Sequence, residues 1–224
     1  MLRFMPVGDS MTIGSAGEHT WRYRLWQHLS ATHGGPFTLV GPRETLYDKA
    51  ADAPDSLAYA DPAFPRGHLA GWGEGWLHMA PLIGPAIRAT RADVLLVSLG
   101  LIDLGFYTDP EQTAENVHAF VAAAREAGPR VRMVLLPVIP NVRAETDAPF
   151  GEQVAHFNVL LAKAVADLDT PRSPILLASP PEDYDIHTDT YDGTHPNARG
   201  EHRIAGAFAT AMDQAWGLGG PYPA

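Results

Sequence analysis

Three side chains have the types that nucleophilic catalysis requires. Ser10 stands in "GDSMTIG" (8–14), and Asp192 and His195 stand in "YDGTHPNARG" (191–200). A serine hydroxyl attacks poorly until a base takes its proton, and the base needs a third group to hold its tautomer. An aspartate and a histidine three residues apart, in a glycine-containing loop closed by proline, can share a hydrogen bond within one turn. Each fragment alone is common. Gly-Asp-Ser serves most often as a turn or a helix N-cap, and with ten histidines in the chain no single one is informative. Their order and position carry the argument.

Such a serine must be presented at an edge. It follows the apolar run "LRFMPV" (2–7), a strand candidate, and four more candidates are "FTLVG" (37–41), "DVLLVSLG" (93–100), "VRMVLLPVI" (131–139) and "PILLAS" (174–179). Helical patterns fall between them, at 18–31, 75–90, 110–127, 151–168 and 197–215. In the first, Trp21, Leu25, Trp26 and Leu29 share a face. The helix at 75–90 reads as broken by Pro81 and Pro85, and residues 42–67, with four prolines, read as a long loop. Strands alternating with helices predict an α/β fold with a parallel sheet covered on both faces. In such sheets the working residues lie at the carboxyl ends of strands, which is where Ser10 falls.

Composition narrows the classes. With 224 residues, 46% hydrophobic and 19% charged, the chain has the make-up of a folded globular protein. A formal charge of −10 argues against non-specific nucleic-acid binding. No apolar run is long enough to span a bilayer, and no membrane partner is expected. Zero cysteines excludes disulfides and thiolate chemistry. The opening "MLRFMPVGDS" lacks a signal-peptide pattern, so the chain as given reads as cytoplasmic, or as secreted if a leader has been trimmed. Two lysines against fourteen arginines, with abundant Ala, Gly and Pro, suggest a GC-rich genome.

The chain resembles the SGNH hydrolase, or GDSL esterase/lipase, superfamily. "GDSMTIG" is similar to its first block and "DGTHPNARG" (192–200) to its last, while "RGHLAGW" (66–72) resembles the second and "SLGLIDLG" (98–105) stands in place of the third. The blocks run in family order over essentially the whole chain. The resemblance implies one domain over 1–224, a flavodoxin-like three-layer α/β/α sandwich on a five-stranded parallel sheet. It also implies Ser10 as nucleophile, His195 as base and Asp192 as its orienting acid. The N–H groups of Ser10 and Gly71 would form part of the oxyanion hole, with no metal or organic cofactor. One position departs from the pattern: the third block's asparagine, an oxyanion donor, is replaced by Ile102. Losing such a donor costs about 2.7–4 kcal/mol. Asn141, past the fourth strand, and His68 are candidate replacements.

Other features have plainer readings. Asp9 is expected to hold the turn through backbone N–H groups, and Asp103 to tie loops at the sheet edge. His187, Asp189, Asp192 and His195 are too irregularly spaced for a metal site. "GWGEG" follows no strand and lacks a phosphate-loop lysine. Trp72, His68, Ile102 and Phe106 are candidate substrate contacts, with Tyr107 beside them; Trp76 is a pocket or a core residue. The expected activity is that of a serine-dependent esterase acting on an ester or acetyl group of a small molecule or sugar. An acyltransferase or natural-product tailoring enzyme is the alternative, favoured by Ile102, and a non-catalytic binding protein on the same scaffold is the third. The expected partner is a small acylated substrate, and a homo-oligomer stays open.

Overall fold

The apolar run Leu2–Gly8 forms β1, an interior strand, fully buried from Phe4 onward. The structure is a computed structural model and describes residues 1–181 and 183–223. After β1 come a one-turn helix α1 (Ser10–Ile13), α2 (Thr20–Thr32), β2 (Phe37–Leu39), β3 (Leu46–Asp48), β4 (Ala53–Ser56), β5 (Leu69–Ala70) and α3 (Trp76–Thr90). There follow β6 (Val94–Ser98), a π-helical turn (Asp103–Tyr107), α4 (Pro110–Ala127), β7 (Arg132–Leu136), α5 (Val142–Thr146) and α6 (Ala148–Leu168). The chain continues through β8 (Ile175–Leu177) and α7 (Ile186–Asp189) to α8 (Ala198–Trp216).

The main sheet runs β2-β1-β6-β7-β8, all pairs parallel, with β5 added alongside the end of β1. The five strands expected from sequence are all present, and the two-residue β5 is a sixth. Among the five, the order is that of flavodoxin-like doubly wound sheets, whose switch point lies between the first strand and its central neighbour. Here that crevice opens beyond the carboxyl ends of β1 and β6. β6 and β7 are buried residue by residue, apart from half-buried Arg132, as strands covered on both faces must be. Helices α2 and α8 pack together, and α3, α4 and α6 form a second packed group.

Two sequence expectations are corrected. The helix α3 runs unbroken through Pro81 and Pro85. Both prolines sit four residues apart on its exposed side, where water can take up the carbonyls they leave unbonded. Residues 42–67 are also not all loop, because β3 and β4 pair as an antiparallel ladder there. Trp76 is core: it is 0% exposed and meets Phe120 edge-on.

Candidate active site

The tight corner after β1 explains the residues "GDS". A side chain on Gly8 would overlap Thr12 Oγ1 and the Ser98 carbonyl, so α1 can fold back onto the strand only over glycine. Asp9 then caps α1, its Oδ1 accepting the Met11 N–H at 3.0 Å, which agrees with the turn-holding role expected of it. Burial pushes its carboxyl up to about 7, the Met11 N–H opposes that rise, and the negative charge of Asp103 adds to it. Ser10 is the first helical residue, so its N–H has no partner within the helix.

From the other end of the chain, the loop before α8 arrives at the same corner. Thr190 Oγ1 accepts the Gly193 N–H at 2.8 Å, and Gly193 takes a left-handed φ of 83°. Asp192 Oδ1 accepts the N–H groups of Thr194 and His195 at 3.0 and 2.8 Å. Its Oδ2 lies 2.7 Å from His195 Nδ1, and His195 Nε2 lies 2.9 Å from Ser10 Oγ. Burial works against the charge of Asp192, yet the His195 N–H and imidazole together with the Thr194 N–H hold its carboxyl below the usual range. Asn197 caps α8 through the N–H groups of Arg199 and Gly200, which fixes where the loop ends.

His195 is also the filling of an aromatic stack. Trp72 lies 4.7 Å from it and nearly parallel, Tyr47 stacks on the far face of Trp72 at 4.1 Å, and Tyr191 lies 5.8 Å from His195. The cleft beside Ser10 holds about 320 Å³. Trp72, Gly73, Ile102, Phe106, Asn141 and Arg143 are among its lining residues. Of the sequence candidates, Trp72, Ile102, Phe106 and Asn141 therefore meet at Ser10. Tyr107 does not line the cleft and packs instead on His78, with ring centres 4.9 Å apart.

Two candidates are elsewhere engaged. The Gly71 N–H donates to the Gly8 carbonyl at 3.1 Å, extending the β1–β5 ladder, and so is not aimed at the cleft. A Cβ on Gly71 would meet the flexible ends of the Arg43–Glu74 ion pair, which would have to shift to admit it. His68 is 0% exposed, with Nε2 2.9 Å from the Thr45 carbonyl and Nδ1 accepting the Ala70 N–H at 3.1 Å. With both ring nitrogens engaged inside the protein it can neither touch substrate nor donate to an oxyanion. Asp103 is structural as expected, accepting the Trp76 and Leu77 N–H groups at the start of α3. The irregular cluster of two histidines and two aspartates is split between tasks: Asp189 pairs with Arg199 and Arg203, and His187 with Glu145.

Sequence reasoning missed Gly73, Arg143, Phe150 and Thr194 in the cleft, and Tyr191 and Tyr47 in the stack. Tyr191 and Thr194 had a signal, since both lie inside the loop that carries Asp192 and His195. Arg143 and Phe150 had none, because α5 and the start of α6 reach the cleft only through tertiary packing.

A doubly wound sheet with a serine, a histidine and an aspartate hydrogen-bonded in series at its switch point has the layout of a serine hydrolase. The chain matches the family model described as GDSL-like Lipase/Acylhydrolase over residues 7–203. It belongs to that family. It is 25% identical over 215 residues to a multidomain esterase of Ruminococcus flavefaciens, matching 91% of this chain and 27% of that protein. The chain thus spans about a quarter of the length of that curated relative. Among solved structures, it is similar to a family 3 carbohydrate esterase from Talaromyces cellulolyticus, with 24% identity, a TM-score of 0.76 and coverage of 96% of this chain and 97% of that one. The same values describe its likeness to an acetyl esterase mutant solved with an acetate ion. Among the described residues, no helix is long and apolar enough to cross a membrane.

Proposed function

We propose that Ser10, His195 and Asp192 act as the catalytic triad of an esterase that removes a short acyl group, acetyl foremost, from a sugar or other small alcohol, with residues 1–224 serving as one domain. The observation that carries this reading is the unbroken hydrogen-bond series at 2.9 and 2.7 Å, ending in a carboxylate held in its charged form. Ser10 Oγ attacks the ester carbonyl while His195 Nε2 takes its proton. Collapse of the tetrahedral intermediate expels the alcohol, which leaves with that proton. Water then attacks the acyl-enzyme, gives a proton to His195, and the acid departs as Ser10 recovers its hydrogen.

The developing oxyanion needs donors. The Ser10 N–H is one. With Gly71 turned into the sheet, the Gly73 peptide and the Asn141 amide are the next that line the cleft. Asn141 is held there by a long 3.3 Å bond to Thr194, and its Oδ1 is buried with no partner among the described residues. Phe106 and Tyr191 are exposed aromatic side chains near the triad, and aromatic rings are the kind of surface on which a sugar ring stacks. The names of the carbohydrate and acetyl esterase relatives support the same substrate class.

A second reading is favoured by Ile102. An apolar side chain in place of an amide makes the cleft drier, which suits transfer of the acyl group to an alcohol rather than to water. The test is turnover of p-nitrophenyl acetate and of an acetylated xylo-oligosaccharide by the wild type and by Ser10→Ala. Ser10-dependent release of acetate from both supports the sugar esterase. Accumulation of an acetylated Ser10 peptide with slow turnover, relieved by added alcohols, supports transfer. An active Ser10→Ala variant would sink both.

A further inference from the structure

The opposite edge of the sheet carries a second cleft of about 550 Å³, between the C-terminal ends of α3 and α4. Its walls hold Arg3, Arg88, Arg91, Arg130, Arg132 and Arg172. Six of the fourteen arginines in a chain of net charge −10 therefore share one concavity. The one carboxylate among its lining residues, Asp93, is already gripped by Arg3 through two bonds of 3.0 Å. Arg132 lies over the Trp216 ring at 5.1 Å. The exposed side chains of Arg88, Arg91, Arg130 and Arg172 make no hydrogen bond or ion pair among the described residues.

Helix ends explain part of this. Arg88 sits in the last turn of α3, where a cation complements the helix dipole. Two helix C-termini together amount to about one negative charge. With Asp93 that makes about two, which leaves a surplus of roughly four guanidinium groups repelling one another in one cleft. Arg91 adds a second observation. It occupies the left-handed cap of α3 with φ of 54°, a position that glycine fills with less strain.

We infer that this cleft binds a compact multivalent oxyanion, a small molecule bearing two or more adjacent phosphate or carboxylate groups. Guanidinium forks bind such oxygens in pairs, and the volume is within the range of small-ligand sites. The negative charge on the rest of the protein directs an anion to this pole. The cleft lies about 20 Å from Ser10, the length of β1, so its occupancy is separate from the triad.

Calorimetric titration with inorganic tripolyphosphate and with citrate, at about 20 mM salt, tests this. The proteins are the wild type, the triple variant Arg88→Gln/Arg130→Gln/Arg172→Gln and the single variant Arg130→Glu. One-to-one binding is expected for the wild type, weakened about tenfold or more at about 0.2 M salt and about thirtyfold or more in the triple variant. Tripolyphosphate binding more tightly assigns the ligand to phosphates, and citrate binding more tightly assigns it to carboxylates. Hydrolysis of p-nitrophenyl acetate is expected to be unchanged in either variant, which separates this site from the esterase reading. Absence of wild-type binding to both anions up to about 1 mM overturns the inference. So does undiminished affinity in both variants.

Discussion

At the scale of single residues, the proposed triad has all three members, and the proposed oxyanion hole departs at Ile102 from the pattern the sequence resemblance implies. Ile102 lines the cleft without a polar atom to offer. Ile102→Asn is expected to raise kcat on p-nitrophenyl acetate by about tenfold or more, part of the 10²–10³ that one such donor is worth. Asn141→Ala is expected to lower kcat in the wild type and to matter much less in the Ile102→Asn background, a coupling that a double-mutant cycle measures. Equal losses in both backgrounds would remove Asn141 from the hole. Asp9 makes a different prediction. In the unfolded chain it ionises near pH 4, but in the folded protein it keeps its proton up to about pH 7. Between those values the folded state binds more protons than the unfolded one. The contribution of Asp9 is therefore fully present at low pH and declines as pH rises through that window. Asp9→Asn, which retains an acceptor for the Met11 N–H, is expected to flatten this decline in urea unfolding measured across the range. Asp192 has the opposite sign: its lowered carboxyl favours the fold above the unfolded value and loses that effect as pH falls.

At the scale of elements, what was legible depended on how much hydrophobic pattern each segment carried. The interior strands β1, β6 and β7 read clearly because runs such as Val94 to Val97 are buried on both faces and so are apolar throughout. The cap at Asn197 and the corner at Gly8 were visible through their residue types. β5 was invisible because two residues carry no period, and β4 because "APDS" is polar and contains proline. The oxyanion assignment to Gly71 failed for a related reason: where β5 goes unseen, a hydrogen bond that continues its ladder goes unseen too. Proline misled in α3: it removes an N–H and crowds the preceding turn, yet both prolines here face water, which takes up the carbonyls left free. That account is testable. Pro85→Ala restores an N–H that can reach the Pro81 carbonyl, and is expected to stabilise the protein by about 1–2 kcal/mol after allowing for the freer unfolded chain. Thermal unfolding checks this, and a lowered melting temperature would mean that the helix does not tolerate continuity there.

At the scale of the whole molecule, the two ends of the chain close on each other. Glu201 of α8, 4% exposed, accepts the Thr20 N–H at 3.0 Å across a separation of 181 residues and pairs with Arg24 at 2.9 Å. Glu201→Ala leaves a half-buried guanidinium and a buried N–H without their acceptor. It is expected to cost about 3 kcal/mol in urea unfolding, with Glu201→Gln costing less because its carbonyl still serves Thr20. The molecule is otherwise divided by its sheet: the triad stands at the carboxyl edge, and the arginine cleft at the amino edge.

One anchor joins these scales. Asp103 fastens the segment after β6 to the first turn of α3 through two backbone N–H groups, and Ile102 is its immediate neighbour. The backbone at 102 is thereby set by the residue next to it, not by the side chain at 102 itself. Evolution can exchange that side chain, amide for alkyl or the reverse, and retune the chemistry of the cleft without disturbing the architecture that holds it. Position 102 is an adjustable setting on a fixed mount.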